Sequence, residues 1–151
     1  MVMREYMGCL DAGDPAGALA LMDERLAFLI VLPSGPVTGT SKADFERYVA
    51  GRAAPPDRVH QVLRFAVDGD LELAYGLVTE AGRTAGAFMS AARVSPAGRI
   101  VRYQSLFDPA FALLDGPGPA APGPDRPGPD RPGPDGAGPT GPGPDGPGAV
   151  R

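Results

Sequence analysis

The sequence predicts an α+β fold in which helices come first and an antiparallel meander of strands follows. Three observations point there. Apolar residues recur at helical spacing through most of the first fifty positions. From Val59 onward the pattern becomes alternating runs separated by turn residues. Beyond Leu114 the only large apolar side chain is Val150, so the end of the chain has nothing to add to a core.

Val2, Tyr6, Cys9 and Leu10 share one helical face, and Gly13 closes that helix. Asp14 and Pro15 start a second helix: the carboxylate can cap, and proline suits a first turn whose N–H has no partner. Ala18, Leu19, Leu21 and Met22 supply its buried side. The apolar run 26–32 is rich in strand formers and is stopped by Pro33, Ser34, Gly35 and Pro36. Ser41 opens a third helix, with Asp44 as a short variant of the capping box, and this helix presents Phe45, Tyr48 and Val49. Strands are expected over residues 59–68 and 71–80, joined at Asp68, Gly69 and Asp70. Two more follow over residues 84–95 and 99–108, set off by Gly82 and by Pro96 and Gly98.

Composition divides the chain into a folded domain, residues 1–114, and a tail, residues 115–151. Pro and Gly fill 23 of the 37 tail positions (12 Pro, 11 Gly). Such a segment cannot bury enough surface to offset its ordering entropy, so a disordered tail is expected. Its Pro-Gly-Pro-Asp-Arg repeat has a period of five rather than the three that collagen requires.

Charge and cysteine usage exclude several function classes. Residues 1–114 carry 11 Lys/Arg and 13 Asp/Glu, a net of −2, and the basic residues are scattered. Nucleic acid is therefore not an expected partner. Cys9 is the single cysteine, which excludes an intrachain disulfide and reads as a buried, inert thiol. One His and one Cys far apart make no metal site. No phosphate-cradling glycine loop is present, so no nucleotide cofactor is implied, and none of any other kind is expected. No apolar run is long enough to span a bilayer and no signal segment leads the chain, so we expect no membrane contact and a cytoplasmic location.

Strand alternation separates two faces. Val101, Tyr103, Ser105 and Phe107 fall together on the last strand, as do Phe88, Ser90, Ala92 and Val94 on the one before. Both faces are substantially apolar. One should cover the helices, and the other should meet a second subunit, giving a homodimer through the sheet.

Three stretches in order resemble the nuclear-transport-factor-two-like superfamily, its SnoaL-like polyketide-cyclase and ketosteroid-isomerase branches in particular. They are residues 6–14 (Tyr-Met-Gly-Cys-Leu-Asp-Ala-Gly-Asp), 32–39 (Leu-Pro-Ser-Gly-Pro-Val-Thr-Gly) and 98–103 (Gly-Arg-Ile-Val-Arg-Tyr). The resemblance implies a cone: a curved antiparallel sheet wrapped around the N-terminal helices, with an apolar pocket at the open end. It also implies that Tyr6, eight residues before Asp14, donates a hydrogen bond to a developing oxyanion. The isomerase's general base would precede Pro33, where this chain has Leu32, which cannot accept a proton. The aspartate of the epoxide-hydrolase branch falls at Ser105.

His60 alone has an unperturbed pKa near neutrality, about 6.5. It reads either as a general base or as a strand-entrance histidine bonded to backbone or solvent. No carboxylate of matching strand parity stands ready to orient it. Three functions remain open. The first is a module binding a hydrophobic small molecule in a pocket walled by Tyr6, Tyr48, Tyr75, Phe88, Ser90, Tyr103, Ser105 and Phe107, without the family's usual carboxylate catalysts. The second is a cofactor-free cyclase, isomerase or hydrolase acting on a polyketide- or steroid-like substrate, with His60 as base and Tyr6 as oxyanion donor. The third is a structural dimerisation module.

Overall fold

A computed structural model describes residues 1–52 and 55–116; nearly all of the expected tail lies outside the described residues. The elements run α1 (Val2–Asp11), α2 (Pro15–Ala20), β1 (Met22–Leu32), β2 (Gly35–Gly39), α3 (Lys42–Ala50), β3 (Val59–Asp68), β4 (Leu71–Glu80), β5 (Arg83–Val94) and β6 (Ile100–Asp108). All six strands form one curved, unclosed sheet in the order β2-β1-β6-β5-β4-β3. The fold is α+β, as expected.

Local chemistry sets the helix starts. The Asp14 carboxylate accepts the Gly17 N–H at 2.8 Å and caps α2, with Pro15 in its first turn. At α3 the Ser41 hydroxyl accepts the Asp44 N–H at 3.1 Å, and the Asp44 carboxylate reaches back to the Thr40 N–H at 3.0 Å. That reciprocal pair is a capping box shifted by one residue on its return arm. The Thr40 amide and the Ser41 hydroxyl hold Asp44 below the usual carboxylate range.

Two features of the sheet differ from expectation. Residues 35–39 form a strand, not a stop: β1 and β2 make a hairpin whose loop is Pro33 and Ser34. Pro36 is tolerated because β2 is an edge. The β1–β6 pair is parallel, joining the early strand to the meander. Here β1 begins at Met22, with an irregularity between Met22 and Ala27 that takes up the polar Asp23, Glu24 and Arg25.

The core sits between the helices and the concave face. Met3, Ala18, Leu26, Phe45 and Ile100 are fully buried. Phe45 stands edge-on to Phe28 at 5.1 Å, and Tyr6 packs at 5.5 Å against Tyr103, also near-perpendicular. The N-terminus is tied down from a distance: Glu72 on β4 accepts the Met3 N–H at 2.7 Å and the Val2 N–H at 3.1 Å. These are orphan donors of the first turn of α1, satisfied by a carboxylate at the positive end of the helix dipole.

Candidate functional site

A cavity of about 80 Å³ opens between α1, α3 and the concave faces of β1, β3, β4, β5 and β6. Its wall includes Tyr6, Tyr48, His60, Phe88, Ser90, Tyr103, Ser105 and Phe107. Seven of the eight residues expected to wall a pocket therefore converge, together with His60. Leu32, whose side chain cannot accept a proton, lines the cavity as well.

Tyr75 does not. It lies on the opposite face of the sheet, beside Met89, Leu106 and Leu113, and its hydroxyl accepts the Leu113 N–H. The inner face of β4 consists of Glu72, Ala74, Gly76 and Val78 instead. Its middle inverts the usual pattern, because Ala74 and Gly76 face inward while Leu73 and Tyr75 face outward. Gly76 shows why: a Cβ there would lie 2.2 Å from the Gln61 carbonyl oxygen and 2.8 Å from the Phe88 ring. The inner surface of β4 is kept flat so that Phe88 can lie across it.

The chemistry of the wall is concentrated in two groups. The first is a set of hydroxyls. Ser90 Oγ lies 2.9 Å from Ser105 Oγ and 3.3 Å from the Tyr103 hydroxyl. Burial pushes the Tyr6 phenol well above its ordinary value, and the neighbouring Tyr103 adds to that shift; Arg52 opposes it. Burial also raises Tyr48, again against the Arg52 charge. Tyr6 thus stays a hydrogen-bond donor at any physiological pH.

The second group is His60 with Asp11. The Asp11 carboxylate, at the end of α1, lies 2.6 Å from His60 Nδ1 and accepts the His60 backbone N–H at 3.0 Å. An ionised carboxylate only accepts, so Nδ1 of His60 carries the proton of this contact and donates it. The ring also packs edge-on to Phe88 at 5.5 Å. The expectation that no carboxylate orients His60 is corrected by this contact. Strand parity could not reveal it, because the partner comes from a helix 49 positions away.

A second cavity of about 180 Å³ lies towards Gly13, Pro15, Pro55 and Pro56. It shares Leu10, Arg52, Arg58 and His60 with the inner one, and Arg58 is paired to Glu80 through Nε at 2.8 Å. Sequence reasoning missed both arginines; the segment after α3 carries no periodic signal. Among the described residues, no three His, Cys, Asp or Glu side chains gather closely enough to hold a metal ion. Among them too, no helix is long and apolar enough to cross a membrane.

Comparison with solved structures identifies the architecture. A candidate ketosteroid isomerase from Kribbella flavida superposes with a TM-score of 0.58 at 20% identity, covering 76% of this chain and 81% of that one. An NTF2-like protein of unknown function from Burkholderia pseudomallei gives 0.59 at 20% identity, covering 72% and 89%. IdmH, a candidate polyketide cyclase from Streptomyces antibioticus, gives 0.56 at 17% identity, covering 71% and 89%. The fold is NTF2-like. In sequence, no family model and no curated protein matches the chain.

Proposed function

We propose that this NTF2-like domain binds a small, mostly apolar molecule inside the cone. The observation that carries the reading is the wall itself: Ile30, Val78, Phe88 and Phe107 alongside the hydroxyls of Tyr6, Ser90, Tyr103 and Ser105. Apolar surface with a few convergent donors is the usual make-up of a small-molecule site. Typical sites enclose roughly 300–1,000 Å³. The inner space of about 80 Å³ is far smaller, which favours a one-ring ligand reaching into the outer cavity over a polycyclic one. A thermal-shift screen of small ketones and monocyclic aromatics tests this. Stabilisation by a chemically related subset is expected, and a flat response across all of them would instead support a structural dimerisation module.

A second reading is favoured by the His60–Asp11 contact. In it the domain is a cofactor-free isomerase, cyclase or hydrolase. Nε2 of His60 takes a proton from carbon beside a carbonyl, Asp11 holds the charged ring, and the Tyr6 phenol donates to the forming enolate oxygen. With a substrate from the screen, His60→Ala and Tyr6→Phe should each lower turnover by about 100-fold. Unchanged rates in both would remove these roles.

The same proposal includes a cytoplasmic location and a second copy of the chain on the outer face of the sheet. Met89 and Leu106 are register partners there, 53% and 41% exposed, and Leu73 adds to the apolar surface. Light scattering should show a dimer that Leu106→Glu converts to monomer.

A further inference from the structure

The four residues shared by the two cavities include two arginines, and they are not equivalent. Arg58 is committed to Glu80. Arg52, at the end of α3, has no carboxylate partner among the described residues; its guanidinium stands 5.6 Å from the centre of the Tyr48 ring. Its charge is felt at two phenols of the inner cavity, Tyr6 and Tyr48. The two acids of the outer cavity wall are already occupied. Asp11 is taken up by His60, and Asp14 caps α2. A half-buried guanidinium where two cavities meet is incompletely solvated, and it presents a planar fork of donors suited to a carboxylate.

Building on the ligand-binding reading, we infer that the ligand carries one acidic group. Its carboxylate would pair with Arg52 where the two cavities meet, while its apolar body lies against Leu10, Phe88 and Tyr103. Phenylacetate is a suitable probe, because phenylacetamide has the same shape without the charge.

Calorimetric titration of both compounds into the full chain, the Arg52→Met variant and the Arg4→Met variant tests the inference. Arg4 stacks on Phe65 and lines neither cavity, so it serves as the control. Phenylacetate should bind the wild-type chain about ten-fold or more tighter than the amide, as a charge-assisted contact implies. That preference should vanish in Arg52→Met and persist in Arg4→Met. Added salt should erode it in the wild type, a measurement that does not depend on a variant folding. Equal binding of acid and amide overturns the acid anchor and leaves the pocket reading standing. A preference that survives Arg52→Met overturns the assignment to Arg52. Binding of neither probe overturns the anchor for this ligand class, and a flat screen beside it removes the pocket reading too.

Discussion

Asp11 and His60 are joined twice, ring to carboxylate at 2.6 Å and backbone N–H to the same carboxylate at 3.0 Å. The double contact fixes the end of α1 to the start of β3, beside the mouth of the cavity. It orients the ring and satisfies a backbone donor with one side chain.

Because the carboxylate holds the backbone as well as the ring, Asp11→Ala should cost more stability than His60→Ala. A loss of about 1–3 kcal/mol is expected for Asp11→Ala from urea denaturation. A double-mutant cycle should give a coupling of about 0.5 kcal/mol or more. The reverse order would mean that His60 packing against Phe88 outweighs the carboxylate.

Tyr6 supplies an alkaline signature. Burial raises its folded-state pKa, so the folded chain keeps a proton that the unfolded chain releases near pH 10. The stability this contributes is complete below about pH 10 and is lost as pH climbs from there towards the folded value. Urea midpoints measured between pH 8 and pH 11 should fall in the wild type and fall less in Tyr6→Phe, which has no proton to release. Parallel curves would show that the phenol is better solvated than its burial implies.

Glu72 should matter beyond its own strand. Glu72→Ala removes the acceptor for the Val2 and Met3 N–H groups and is expected to cost about 2 kcal/mol or more. Glu72→Gln keeps one acceptor oxygen and should lose less. Amide exchange at Met3 and at neighbouring positions of α1 should rise in proportion.

The expected division into a domain and a tail is tested by truncation. A chain ending at Gly116 should melt within about 2 °C of the full chain. A fall of about 8 °C or more would mean that residues 117–151 pack on the domain.

What the sequence by itself determined is local and periodic. Ser41 with Asp44 and Asp14 with Pro15 announce helix starts, because caps act within a few residues. The meander strands follow from alternation and from glycines such as Gly69, which takes a positive φ of 58° at its turn. The inner faces of β5 and β6 were legible over Phe88–Ala92 and Tyr103–Phe107, where alternation is regular, but an irregularity at the start of β6 puts Ile100, not the expected Val101, into the core.

Only the tertiary structure decided the rest. Alternation divides a strand into two faces without saying which is inside, and the middle of β4 turns its small side inward, placing Tyr75 on the outer surface and Gly76 against Phe88. β2 was hidden because its pairing with β1, not its composition, makes it a strand. His60 with Asp11 and Glu72 with Met3 are 49 and 69 positions apart, and hydrogen bonds of that span leave no periodic trace in a chain. Acceptors for buried donors are chosen by proximity in space. That is why the fold was readable from the sequence, while the polar partners that give its cavity a chemistry were not.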